Sequence, residues 1–208
     1  MLDKTVILVG YSGHGYVLID VAIENKITLL GYSEKTSVQD NPFNLKYLGS
    51  ENDEHLLNNF CNDAYFIIGI GDNRKREQVF EKLLKNGCQI LTLKSLSAAV
   101  SVTSIIEIGT FVNRNVSINA FARIGKNVVL NTGCVIEHEC IISDSVHVAP
   151  GAVLAGNVIV GERTFVGANS VIKQGVKIGR DVIIGAGSVI IKDIPDGAKV
   201  VGNPGRII

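Results

Sequence analysis

From Ile106 onward every sixth residue is aliphatic: Val112, Ile118, Ile124, Leu130, Ile136, Ile142, Val148, Leu154, Val160, Val166, Ile172, Ile178, Ile184 and Ile190 follow without a slip. A helix would repeat at 3.6 and a half-buried strand at 2, so neither gives a period of six. A triangular coil does. Each hexad makes one short flat face with its aliphatic residue pointing inward, and three hexads close one turn. Successive turns then bury each other's backbone ladder. Two residues before the aliphatics stand small or β-branched side chains suited to a corner, among them Ala122, Cys134, Cys140, Ala152, Ser170 and Ser188. Gly often follows the aliphatic, as at Gly125, Gly161, Gly167, Gly179 and Gly185, and is read as supplying the backbone freedom of the turns. The expectation is a parallel β-helix of about five coils near residues 104–192.

Residues 1–100 have a different grammar. Thr5–Gly10 reads as a buried strand, Gly10-Tyr11-Ser12-Gly13-His14-Gly15 as a tight glycine loop, and Tyr16–Asn25 as a helix. Strands follow over 27–32 and 64–70, then an amphipathic helix over 74–86 closed by Gly87, then a strand over 90–93. Strand, loop, helix, strand implies a small parallel, Rossmann-like sheet covered by helices. The Ser- and Ala-rich stretch over 95–104 marks the junction. The expected domains are therefore an α/β domain over 1–100 and a β-helix with a C-terminal tail over 101–208.

Lys+Arg and Asp+Glu both number 20, so nothing draws the chain to nucleic acid or an anionic membrane. The opening residues lack the long apolar stretch of a signal peptide or membrane span, and a cytoplasmic location is expected. The four cysteines, Cys61, Cys88, Cys134 and Cys140, form no CxxC pair and are read as reduced, buried thiols.

Polar exceptions in the apolar repeat carry the chemistry. Glu137-His138-Glu139 interrupts one coil, with Asn131 before it and His147 after it. The four positions fall close together in an 18-residue coil. A neutral imidazole with a carboxylate on its other nitrogen is a good general base near pH 7. In the first domain, the glycine loop joins a strand to a helix, where backbone N–H groups can meet phosphate. Its Gly10, Gly13, Gly15 spacing is neither GxGxxG nor a nucleophile elbow. Gly71-Asp72-Asn73 ends a later strand, and such ends collect ligands in α/β sheets.

Together the Gly10–Gly15 loop, Ile70-Gly71-Asp72-Asn73 with Arg76, Asn131-Thr132, Val135-Ile136-Glu137-His138-Glu139-Cys140 and the hexads resemble the bacterial sugar acetyltransferases. That family includes UDP-4-amino-sugar N-acetyltransferases and sialic acid O-acetyltransferases. The resemblance implies a left-handed β-helix that forms a homotrimer, with acetyl-CoA as co-substrate bound between neighbouring helices and no metal. It implies His138 as the base, with Glu139 raising its basicity. His147 and backbone near Ala168 and Ala186 would contact acetyl-CoA, and Asn131 would lie near the acceptor. Ser12, Gly13, His14 and Gly71 would bind a nucleotide-sugar. Ser33 and Glu34 stand where relatives carry an acidic pair facing the nucleoside, and Asp72 where relatives often have Asn.

The expected reaction is direct attack by an acceptor amine of a nucleotide-linked amino sugar on the thioester, with His138 removing the proton. Such a base contributes about 10²–10⁴-fold. Cys134 and Cys140 occupy corner positions that point into the coil, which argues against an acyl-enzyme. The alternatives are O-acetylation of sialic acid or another sugar hydroxyl, and a non-catalytic nucleotide-sugar-binding trimeric scaffold, against which the Glu-His-Glu constellation speaks. A zinc carbonic anhydrase of the γ type needs three His per metal, and the repeat holds only His138 and His147.

Overall fold

The computed structural model describes residues 5–208. Residues 1–4 lie outside the described residues. The chain divides into two units, 1–93 and 94–208.

The first unit runs β1 (Thr5–Val9), α1 (Gly13–Glu24), β2 (Thr28–Ser33), α2 (Glu54–Phe60), β3 (Tyr65–Ile68), α3 (Asn73–Lys85) and β4 (Gln89–Ile90). Its sheet has the order β2-β1-β3-β4 with every pair parallel. Val6, Ile7, Leu8 and Val9 are buried, as an unbroken apolar run in the middle of a parallel sheet requires. Because β1 is flanked by β2 on one side and β3 on the other, the chain order reverses there. The carboxyl ends of β1 and β3 open a crevice of the kind that holds ligands in such sheets. α1 begins at Gly13, three residues before the expected Tyr16, because Ser12 is the extended residue at its N-cap. α2 carries no signal that the sequence reading used.

Two of the four cysteines depart from expectation. Cys61 and Cys88 are joined as a disulfide. One follows α2 and the other precedes β4, and both sit in the same apolar cluster, which brings them together at one edge of the sheet. Cys134 and Cys140 are free and buried.

The second unit is a left-handed parallel β-helix. Its two-residue rungs stack in three sheets, for example Ile105–Ile106, Arg123–Ile124, Ile141–Ile142, Ile159–Val160 and Lys177–Ile178 along one face. Each rung pairs in parallel with the rung 18 residues on, as Val135 does with Val153. The inner aliphatics from Val112 to Ile190 form one continuous core. Regular pairing begins earlier than the hexads suggest, since Ala99–Val100 already pairs with Ser117–Ile118, and about six coils are completed. Lys199–Val201 adds a last rung, and Arg206–Ile207 folds back antiparallel against it, covering the open edge.

The turns are built differently from the sequence reading. From Ile106 to Ile184 the left-handed backbone position falls three residues after each aliphatic, not one. Gly109, Asn115, Phe121, Asn127, Gly133, Glu139, Ser145, Gly151, Asn157, Arg163, Asn169, Gly175, Asp181 and Gly187 all have positive φ. The glycines directly after the aliphatic serve close approach instead. A Cβ on Gly167 would stand 2.6 Å from the Ala186 nitrogen of the next coil. The Thr164 hydroxyl at one corner is satisfied by backbone. Thr164 donates to the Gly179 carbonyl at 2.7 Å and accepts from Val182 N–H at 3.0 Å.

Candidate active site

The crevice of the first unit holds a cavity of about 640 Å³ lined by Gly10, Ser12, Glu34, Gly71, Asp72 and Lys75, among others. Close backbone packing shapes it. A Cβ on Gly15 would run into the Gly10 carbonyl oxygen, and one on Gly69 would stand 2.6 Å from Gly15 Cα. Gly13, in the middle of the loop, has open space around it. Ser12 makes no side-chain cap bond to α1 and lines the cavity beside a helix N-terminus, where the dipole favours anions. Asp72 caps α3 by accepting from Lys75 N–H at 2.9 Å. Arg76, 1% exposed, donates to the carbonyls of Ile70 and Gly71, each at 3.2 Å, and to Asn73 at 3.1 Å. It thereby locks the strand end that carries Gly71. Burial lowers its pKa to about 10, which leaves it charged at neutral pH.

His14 is half-buried, and burial, helped by the Arg76 charge, pulls its pKa down to about 4. It is neutral near pH 7 and is not among the residues that line the cavity. Of the two residues at the end of β2, Ser33 is wholly buried and its carbonyl accepts from Gly10 N–H at 3.0 Å. Glu34 alone faces the cavity, its carboxylate held by the Tyr11 and Lys35 amides at 3.3 and 3.0 Å.

In the β-helix, His138 and Glu139 occupy one corner of a coil. His138 Nδ1 lies 3.1 Å from Glu139 Oε2, with the side chains 47% and 55% exposed. A carboxylate there requires the proton on Nδ1 and leaves Nε2 as the acceptor. One coil on, Gly156 has no side chain. A Cβ at that position would meet His138 Cε1 and Nε2, so the base's working edge is kept clear.

Asn131 and His147 form a second cluster around the corner before. Asn131 Oδ1 accepts from Thr132 N–H at 2.8 Å and from Asn113 Nδ2 at 2.9 Å. These two donors fix the amide so that Nδ2 points to His147 Nε2 at 3.4 Å. His147 is buried and meets Phe165 edge-on at 5.2 Å between ring centroids. Ala168 and Ala186 stand one above the other at this same corner, with Gly187 N–H donating to the Ala168 carbonyl at 2.8 Å. Within one chain, then, the four residues grouped by sequence divide. Their hydrogen bonds join Asn131 to His147 and His138 to Glu139, on two corners separated by one face.

Cys134 and Cys140 point inward. Burial pushes their thiols up to about 12 and about 11, and Cys140 donates to the Ala155 carbonyl at 3.2 Å. Neither is a thiolate near neutral pH. Among the described residues no group of three or more His, Cys, Asp or Glu is placed to hold a metal ion. No helix among them is long and apolar enough to cross a membrane.

Asn113, Gly156 and Asn157 escaped the sequence reading. The usable signal was the 18-residue coil: Asn113 lies one coil before Asn131, and Gly156 and Asn157 one coil after His138 and Glu139.

Comparison with known proteins agrees with both halves. Residues 5–83 match the PglD N-terminal domain, residues 139–174 the bacterial transferase hexapeptide (six repeats), and residues 157–192 the hexapeptide repeat of succinyl-transferase. The acetyltransferase domain of PglB from Neisseria gonorrhoeae FA1090, solved with acetyl coenzyme A, superposes with a TM-score of 0.93 at 29% identity, covering 99% of this chain and 100% of that one. PerB from Caulobacter crescentus, solved with CoA and GDP-perosamine, gives 0.92 at 31% identity, covering 99% and 97%. That perosamine N-acetyltransferase has also been crystallised with a single histidine replaced by Asn or Ala. GDP-perosamine N-acetyltransferase from Escherichia coli O157:H7 is 35% identical over 86 residues, which span 41% of this chain and 39% of that protein.

Proposed function

Since this chain belongs to the bacterial sugar acetyltransferases of the hexapeptide-repeat superfamily, we propose that it transfers the acetyl group of acetyl-CoA to the amine of a nucleotide-linked amino sugar. The observation that carries this reading is the His138–Glu139 pair at 3.1 Å with its Nε2 edge bared by Gly156. The amine lone pair attacks the thioester carbonyl carbon while His138 Nε2 takes the amine proton. Glu139 stabilises the imidazolium that forms. As the C–S bond breaks, the same proton is available to the departing CoA sulfur. No acyl-enzyme is needed, and the inward thiols of Cys134 and Cys140 offer none. PerB and the Escherichia coli relative are both named as perosamine N-acetyltransferases, and this favours an amine acceptor over a hydroxyl.

The division of the residues between two corners bears on assembly. Thr132 and His138 are six positions apart, at most roughly 20 Å of extended chain, and the exposed imidazole has no second wall. A homotrimer in which the Asn131–His147–Ala168 corner of one copy faces His138 of the next would supply that wall and line an acetyl-CoA groove. In the first unit, Ser12, Gly71, Glu34 and Lys75 would hold the nucleotide, with the N-termini of α1 and α3 meeting its phosphates.

His138→Ala tests the reading. With acetyl-CoA and a panel of nucleotide-linked amino sugars, kcat should fall by about 10²-fold or more, with the circular dichroism spectrum unchanged. Wild-type kcat in this variant would remove His138 from the mechanism.

A further inference from the structure

We propose that Asn157 is a positioning residue for the base: it holds the Glu139 carboxylate in the rotamer that keeps the His138 proton on Nδ1. The proposal deepens the reading above, since it takes His138 as the base. Asn157 stands one coil after Glu139, in the same left-handed turn position, with φ of 59° against 60°. It grips the pair twice. Its backbone N–H donates to the His138 carbonyl at 2.9 Å. Its side-chain Nδ2 donates to Glu139 Oε2 at 3.3 Å, the same oxygen that faces His138 Nδ1.

A third group is needed here for a physical reason. The Glu139 side chain is 55% exposed, and an exposed ion pair is worth little because it must hold a flexible carboxylate in one geometry against water. The tautomer of an imidazole is set by the partner of its other nitrogen. If Glu139 swings away, Nδ1 loses its acceptor and the proton is free to move to Nε2, the nitrogen that must be bare to accept the substrate proton. A second donor on Oε2 from a rigid neighbouring coil holds the carboxylate in place. Beside the pair stands a further ionisable group, Glu137, whose Oε2 accepts from the His138 backbone N–H at 3.4 Å.

Asn is a common residue in left-handed turns for backbone reasons alone, so the test must separate the amide from the φ angle. Asn157→Gly keeps the turn and removes the amide. Asn157→Asp keeps the shape and replaces the donor with a second carboxylate. Nitrogen-15 spectra of the imidazole in the full-length protein read the tautomer without any acceptor. We expect wild type to hold the Nδ1–H form and Asn157→Gly to shift toward Nε2–H. The kcat of Asn157→Gly should fall by roughly tenfold with the KM for acetyl-CoA unchanged. In Asn157→Asp the added negative charge favours the imidazolium, so the acid limb of the pH–rate profile should move up by roughly half a pH unit or more. Unchanged tautomer and unchanged pH profile in both folded variants would overturn the proposal. Wild-type kcat in His138→Ala would instead overturn the base assignment, leaving the tautomer result to stand or fall by itself.

Discussion

Gly156 lies one coil beyond His138, and a Cβ added to it would stand 2.5 Å from His138 Nε2. The bare position is what lets the imidazole lie over the next coil with its proton-accepting edge open. Gly156 is absent from the positions of positive φ, so its side chain is missing for space rather than for backbone conformation. Gly156→Ala should therefore leave the solenoid folded and push the ring aside. Misplacement by about 1 Å can cost 10²-fold in rate, so kcat should drop by at least tenfold while Tm changes by only a few degrees. A variant with full kcat would show that the ring finds another productive seat.

The Asn131–His147 corner makes a separate prediction. Asn113 is buried and donates to both Asn131 Oδ1 and Thr132 Oγ1, at 2.9 and 2.8 Å. Asn113→Ala frees the Asn131 amide and blurs its donation to His147. If this corner lines the acetyl-CoA groove, the KM for acetyl-CoA should rise several-fold, while the pH–rate profile set by His138 stays in place. Steady-state kinetics across pH separates the two. A shifted acid limb with unchanged KM would assign this corner to the base instead.

Much of this was legible beforehand, because period six is a direct record of which side chains point inward. The inward core positions of the β-helix follow from that record. What the record omits is the stacking of one coil on the next. Asn157 and Gly156 look like ordinary turn residues until they are placed 18 positions after Glu139 and His138. The same omission led the glycines after the aliphatics to be read as turn formers. Their task is to let the next coil's backbone approach, and the left-handed turns are made three residues after the aliphatics by residues as unlikely as Phe121, Glu139 and Arg163. The Cys61–Cys88 bond was invisible for a related reason, since local sequence does not say which ends of α2 and α3 share a sheet edge.

The glycine loop of the first unit offers a contrast between two neighbouring positions. A Cβ on Gly15 would meet the Gly10 carbonyl and lie 3.2 Å from Leu8 Cδ2, whereas one on Gly13 would meet nothing within 4 Å. Gly15→Ala should cost about 1–3 kcal/mol through overpacking, a fall in Tm on the order of 10 °C for a unit of this size. Gly13→Ala should be neutral or stabilise by up to about 1 kcal/mol, because it removes backbone entropy from the unfolded chain at the start of a helix. Thermal melts of the two variants check this, and equal losses in both would place the tight contact elsewhere.

His14 makes one part of the stability of the first unit depend on pH. Burial, with the nearby Arg76 charge, lowers its pKa from 6.5 to about 4 in the folded state. The folded protein thus resists a proton that the unfolded chain accepts. Between pH 6.5 and about 4 the unfolded state binds more protons, so stability rises with pH across that window and is lost as pH falls through it. Above 6.5 the group is neutral in both states and contributes no slope. His14→Gln removes the titration while keeping a polar side chain of similar reach, so its urea midpoint should fall less between pH 7 and pH 5 than that of the wild type. The comparison is made on the change between the two pH values, which cancels any constant cost of the substitution. Equal falls in the two proteins would mean that His14 titrates normally in the folded chain and that the acid sensitivity lies with other groups.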